Sequence, residues 1–225
     1  TTTEYIEGAT QLLEGLKRSG VDVTYMPSHV AASDFPRTKQ ELDAYDTVVL
    51  SDIGSNTLLL SKETFGESRE VPNRLDALVE FVHGGGGFVM IGGYMSFSGI
   101  EGKARFNRTP LEQVIPAHMQ DGDDRVERPE GASVEPARPD HPLLAGITGE
   151  WPRFLGYNAM WAKAGCEEVL KAGEHSFLST GQFRKGRSVA FASDCGPHWG
   201  PPQFLEWEHY DRLWENIVTW AGSGG

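Results

Sequence analysis

The chain has 225 residues, 39% of them hydrophobic, with six Trp and eleven Phe, which is enough apolar volume for one domain with a full core and no disulfide or metal staples. Its formal net charge of −12 repels nucleic-acid phosphates and anionic membrane surfaces, so neither is expected as a partner. The two cysteines, Cys166 and Cys195, make neither a disulfide framework nor a structural zinc spacing. With no membrane-length apolar run and no signal peptide in the sequence, a reducing, cytoplasmic compartment is expected.

Residues 4–18 carry Ile6, Ala9, Leu12, Leu13 and Leu16 at helical spacing, and the stripe stops at Lys17, Arg18 and Gly20. Val21–Met26 alternates and ends at Pro27, which predicts a strand. A polar loop through Phe35-Pro36 leads to a short helix over 39–44, and Thr47–Leu50 reads as a buried strand feeding the loop 51–57. Pro72–Val82 predicts a helix with Leu75, Leu78, Val79 and Val82 on one face and Pro72 in its first turn. Four glycines then open into Phe88-Val89-Met90-Ile91, an unbroken apolar run of the kind found in a strand covered on both faces, and the run breaks at Gly92-Gly93.

Helices alternating with strands predict a doubly wound α/β sheet with right-handed crossovers. Such a sheet ordinarily starts with a strand, and Thr1 is no initiator, so the first strand is expected upstream of Thr1. Further along, 109–115 predicts a short helix, 120–139 irregular chain or an edge hairpin, and 140–146 a turn into a brief apolar helical turn. Strands are expected over 168–171, 175–179 and 187–193, and an amphipathic helix over 205–220 closes a single domain, 1–221, before a glycine-rich tail, 222–225.

In an open parallel sheet, ligands bind beyond the carboxyl ends of the strands. Three predicted strands end in polar or glycine-rich loops: 51–57 with Asp52, Ser55 and Asn56; 92–97 with Gly92, Gly93, Tyr94 and Ser96; and 193–199 with Asp194, Cys195, His198 and Trp199. Each loop taken alone also suits ordinary turns and helix caps. If the strands are parallel, the three loops share one crevice. Cys195 and His198 are a thiol and a base three residues apart, but the Gly196-Pro197 bend between them can aim the side chains together or apart. Asp52, Asp194 and His198 have no paired-His metal spacing, so neither metal nor cofactor is expected. The charge run Asp123, Asp124, Arg125, Glu127 reads as a solvated face, and Tyr94, Phe97, Tyr157 and Trp199 read as core or as rings for a ligand.

The motifs YDTVVLSDIGSNTLLL at 45–60, GGGFVMIGGYMSFSGIEGKARF at 85–106, FLGYN at 154–158 and FASDCGPHWG at 191–200 resemble the class I glutamine amidotransferase-like family, in its branch of uncharacterised bacterial cytoplasmic proteins. The resemblance implies a flavodoxin-like three-layer sandwich with a mostly parallel central sheet. It does not carry over the triad. The family's cysteine sits in a Gly-x-Cys-x-Gly elbow, where this chain has Gly92 or Gly93, and its His-x-Glu falls where this chain has Ser193, Asp194 and Cys195. Ser96 and Ser98 come too late in the turn to replace the cysteine. The resemblance leaves the backbone amides of Gly92, Gly93 and Tyr94 as groups for an anion or a carbonyl.

Three readings follow. One is a pocket for a small polar metabolite, a carbohydrate by analogy with a trehalose-linked branch, held by Asp52, Ser55, Asn56, Gly92, Gly93, Tyr94, Ser96, His198 and Trp199. The second is a hydrolase or transferase with Cys195 as nucleophile, His198 as base and Asp194 orienting it. The third is a silent scaffold acting through oligomer or partner contacts.

Overall fold

The computed structural model describes residues 8–224. Helix α1 (Thr10–Arg18) buries Leu12 and Leu16; the earlier part of the predicted stripe, with Ile6, lies outside the described residues. There follow α2 (Ser28–Asp34), α3 (Lys39–Leu42), β1 (Thr47–Ser51), α4 (Ser55–Leu59) and α5 (Lys62–Glu67). Next come α6 (Arg74–Gly84), capped by Asn73, and β2 (Gly87–Ile91). After three short 3₁₀ turns come β3 (Ala117–Met119), β4 (Arg125–Ala132), β5 (Glu135–Pro136), β6 (Phe154–Asn158) and β7 (Met160–Ala162). Strands β8 (Glu167–Ala172), β9 (His175–Phe183) and β10 (Gly186–Phe191), then α7 (Pro202–Leu205) and α8 (Tyr210–Gly222), complete the chain.

The main sheet has six strands in the order β1-β2-β10-β9-β8-β5. Strand β2 pairs in parallel with β1 on one side and β10 on the other, whereas β9, β8 and β5 continue antiparallel. The sheet is therefore mixed, not mostly parallel. The reason is local: only Gly173 and Glu174 separate β8 from β9, and only Arg184 and Lys185 separate β9 from β10. Two residues can fold a strand back beside its predecessor but cannot carry a crossover.

Three other expectations change. Residues 21–26 join no sheet among the described residues, and their alternation leaves Val23 and Tyr25 39% and 40% exposed. The stretch 120–139 is largely paired, with β4 running antiparallel to β6. The helix predicted over 205–220 is broken between α7 and α8, and α8 extends to Gly222.

Successive residues of a strand point to opposite faces, and both faces of β2 are covered. Phe88, Val89, Met90 and Ile91 are each at most 1% exposed. Helix α8 packs on one face, where Trp214 meets Phe191 at 5.0 Å between ring centroids and Arg187 reaches the Trp220 carbonyl. Helix α6 covers the other face, where the Val82 carbonyl lies over Gly186. At roughly 1.5–3 kcal/mol per fully buried large apolar side chain, β2 alone anchors several kcal/mol of the fold. The corner at its carboxyl end is thus mounted on rigid chain.

Candidate functional site

Strand β2 ends at Ile91 and the chain bends through Gly92 and Gly93. The Gly92 amide donates to the Phe191 carbonyl at 2.8 Å, and a Cβ there would lie 2.2 Å from the Ala192 carbonyl oxygen, so nothing larger fits. Gly93 has φ +148°, and a Cβ on it would lie 2.7 Å from Asp52 Oδ1. Asn158, at the end of β6, clamps Gly93 from below: its Oδ1 accepts from the Gly93 amide at 3.0 Å, and its Nδ2 donates to the Gly93 carbonyl at 3.2 Å. The same Nδ2 donates to Asp124 Oδ1 at 2.8 Å.

Asp124 is fully buried and also accepts from the Ser98 and Gly99 amides at 2.9 and 3.0 Å. Burial pushes its carboxyl up to about 6, against the Asn158, Ser98 and Gly99 donors that hold it down. The corner is therefore fastened by two buried polar groups, Asp124 just before β4 and Asn158 at the end of β6. Among the described residues, Tyr94 carries the one corner amide, from 92 to 95, that donates to no protein acceptor.

Asp52 follows β1 with φ +47°. Its amide donates to Ser96 Oγ at 3.0 Å, and the Ser96 hydroxyl donates to the Ile91 carbonyl at 2.6 Å. Asp52 Oδ1 accepts from the Met95 amide at 2.6 Å. Asp52 and Ser96 thus stitch the first loop to the second. Ser55 is buried, with its amide donating to the Ala104 carbonyl, while Asn56 is exposed beside Met95.

The third loop follows β10. Asp194 is 8% exposed and its Oδ1 accepts from the Gly196 amide at 3.2 Å; burial, reinforced by the charge of Asp52, pushes its carboxyl up to about 7. Cys195 is buried with its Sγ 3.6 Å from Ser51 Oγ, and burial together with the Asp194 charge pushes the thiol up to about 12. Its carbonyl accepts from the Tyr210 hydroxyl at 2.5 Å.

His198 holds φ +110° and is exposed, with its ring centroid 4.4 Å from that of Tyr94 and 6.4 Å from that of Trp199. Tyr94 and Trp199 meet edge-on at 5.5 Å. Glu127 of β4 ties these walls together: its Oε1 accepts from the Tyr94 hydroxyl at 2.8 Å and its Oε2 from Trp199 Nε1 at 3.0 Å. The Arg125 guanidinium lies 4.8 Å from the Tyr94 ring centre and is held by Asp123 at 2.7 Å.

The structure thus gathers Asp52, Gly93, Tyr94, Ser96, His198 and Trp199 around one corner, with Asp194 close enough to feel the charge of Asp52. It does not bring Cys195 to His198: the thiol contacts Ser51, and the imidazole contacts Tyr94 and Trp199. The charge run Asp123, Asp124, Arg125, Glu127, expected as a solvated face, instead supports the corner, with Asp124 fully buried, and Asn158 carries no signal in the sequence for its role as clamp. Strain also collects at this edge. Of seven described non-glycine residues with positive φ, Asp52, Phe97, Glu101, Arg105 and His198 lie in its loops, the pattern expected where packing over-determines a functional geometry. Among the described residues, no three of His, Cys, Asp and Glu gather as metal ligands.

The GATase1_like family model, described as "Putative glutamine amidotransferase", matches residues 1–223. The chain belongs to this family. The cytoplasmic protein STM3548 from Salmonella typhimurium is similar at 47% identity and TM-score 0.93, over 96% of this chain and 87% of that one. The cytoplasmic protein STM1381 from Salmonella typhimurium LT2 is similar at 44% identity and TM-score 0.92, with the same coverage. A ThuA-like protein from Parabacteroides merdae, at 15% identity and TM-score 0.61 over 100% of this chain and 87% of that one, shares the fold. No curated protein matches this member of the GATase1_like family. The cytoplasmic location expected from the sequence agrees with the two Salmonella relatives, and among the described residues no helix is long and apolar enough to cross a membrane.

Proposed function

We propose that this GATase1_like chain binds and processes a small polar metabolite, with a carbohydrate as the leading class, at the carboxyl edge of β1, β2 and β10, by a route that forms no cysteine thioester. The observation that carries this reading is the aromatic corner: the Tyr94 and His198 rings beside the Glu127 carboxylate, backed by Trp199, which is only 2% exposed and so supports the corner from behind instead of offering a face as expected from the sequence. Aromatic rings take the C–H faces of a sugar, and carboxylates accept its hydroxyl protons. Asp194, poised at about 7, is equipped to give or take a proton near neutral pH. The parallel half of the sheet, β1-β2-β10 between α6 and α8, is the flavodoxin-like part of this reading.

The position after β2 offers Gly92, Gly93 and Tyr94, none of them carrying a thiol. The thiol of Cys195 is a poor substitute: with its pKa at about 12, roughly one molecule in 10⁵ carries the thiolate at pH 7. That weighs against the alternative of a Cys195/His198 hydrolase or transferase.

The test pairs two assays on the purified chain. Glutamate release from glutamine is expected to stay at the buffer rate. A thermal-shift panel of neutral mono- and disaccharides is expected to give a stabilising ligand whose effect disappears in Tyr94→Ala and Glu127→Gln. Glutamate release abolished by Cys195→Ala would overturn the proposal in favour of cysteine chemistry. A panel without ligands, together with a stable oligomer in sedimentation, would overturn it in favour of a scaffold.

A further inference from the structure

A groove of about 630 Å³ opens between α4 and the turns over 100–108, with Met95, the residue after Tyr94, in its lining. Met95, whose amide donates to Asp52 Oδ1, ties this groove to the Asp52 corner. Five charged side chains line it, Lys103, Arg105, Arg108, Glu101 and Asp121, with a net charge of +1 in a chain whose net charge is −12. Lys103 is paired with Glu101 at 2.5 Å, and Arg108 with Asp121 at 3.2 Å. The remaining cation is Arg105. Among the described residues its guanidinium has no hydrogen-bond or ion-pair partner, although the Arg105 amide is anchored on the Ser98 carbonyl at 3.3 Å.

The backbone under Arg105 makes the choice of residue informative. Its φ is +60°, a left-handed conformation that glycine holds with less strain. The neighbouring chain fixes that turn: the Ala104 amide donates to the Ser98 carbonyl, and the Ala104 carbonyl accepts from the Ser55 amide, each at 3.0 Å. A long, unpaired cation therefore occupies a strained, well-anchored position facing a groove. A guanidinium offers two parallel N–H donors that match the oxygens of a carboxylate or a phosphate.

From this arrangement we infer that the groove is an anion subsite: Arg105, with Asn56 in the same lining, receives a carboxylate or phosphate group on the metabolite whose remainder rests against the Tyr94–His198 corner. The second half of this statement depends on the function proposed above, whereas the first half stands on the groove alone. A sugar acid or a sugar phosphate is then preferred over a neutral sugar.

The experiment is a titration of the ¹⁵N-labelled protein followed by NMR, with inorganic phosphate, acetate, glucose, glucuronate and glucose 6-phosphate as the probes. Inorganic phosphate or acetate is expected to bind in the millimolar range and to shift signals of residues 101–108 and the Asn56 side chain. Arg105→Gln is expected to weaken that binding by about tenfold or more, and Arg105→Lys by less. Arg105→Gly has the backbone freedom that φ +60° asks for, so it is expected to melt no lower than the parent while losing the anion, which separates a binding role from a folding role.

Glucuronate tighter than glucose 6-phosphate assigns a carboxylate, and the reverse order assigns a phosphate; Tyr94→Ala is expected to weaken the preferred sugar anion while leaving inorganic phosphate or acetate unaffected. Anion shifts elsewhere on the surface, or affinities within about twofold of the parent in Arg105→Gln, would overturn the subsite. Loss of the small anions in Arg105→Gln, with neither sugar anion binding more tightly than phosphate or acetate, would keep the subsite and overturn the function proposed for the corner.

Discussion

Asn158 gives the sharpest test of how the corner is held. Replacing it with Ala removes the acceptor of the Gly93 amide, the donor to the Gly93 carbonyl and one of the three donors to Asp124, all out of reach of solvent. An orphaned buried polar group costs roughly 1–3 kcal/mol, and a buried carboxylate deprived of a donor costs somewhat more, so Asn158→Ala is expected to lose about 3–5 kcal/mol. That is a large part of the 5–15 kcal/mol typical of a folded domain. Urea unfolding followed by tryptophan fluorescence reads it as a lower midpoint at constant slope. The variant should also lift the Asp124 carboxyl above about 6, because the Asn158 donor is the largest influence holding it down. A loss below about 1 kcal/mol, with no change in the titration, would refute the clamp.

Stability should also follow pH through Asp124 and Asp194. Both folded carboxyls sit above the ordinary value of 3.8, at about 6 and about 7, so the folded protein holds these protons more tightly than the unfolded chain. Their contribution is complete below the ordinary carboxylate range and is lost as pH rises through about 6 and about 7, by roughly 3 kcal/mol for Asp124 and roughly 4 kcal/mol for Asp194; chemical denaturation from about pH 4 to about pH 8 should show the decline, and a flat profile would contradict it. Asp123, held well below the ordinary range by the Arg125 guanidinium, acts in the opposite sense but only at lower pH. Iodoacetamide at pH 8 is expected to leave Cys195 unlabelled in the native protein and to label it in urea; rapid native labelling would show an accessible thiolate. Gly93→Ala is expected to cost about 2–4 kcal/mol from its φ of +148° and its contact with Asp52, and Asp52→Ala in the same chain should recover part of that loss. Strictly additive losses in the double variant would show that the two side chains do not collide.

The parts of the fold governed by local pattern were legible in the sequence. The runs that became β1, β2 and β10, the face of α6 and the glycine corner all carry their signals within a few residues. The antiparallel half was not legible in this way, because strand direction there follows from two-residue connections, Gly173-Glu174 and Arg184-Lys185, and not from apolar patterning. The site divides similarly. The sheet-end loops of Asp52, Tyr94 and His198 could be placed on one edge from topology alone. Arg125 and Glu127 carried a usable signal, since alternate residues of a strand share a face. What the sequence could not convey is that Asp124 is fully buried, because its partner Asn158 lies 34 residues away.

The two hydrogen bonds received by Glu127 have a consequence for how such proteins diversify. The walls of the corner arise from loops after β2 and β10, yet one exposed carboxylate on β4, in a separate two-stranded ladder, sets their mutual angle. Exchange at position 127 therefore frees Tyr94, the wall that is not buried, while Trp199 at 2% exposure stays fixed by its packing, so a surface residue governs one wall of the corner and the interior governs the other.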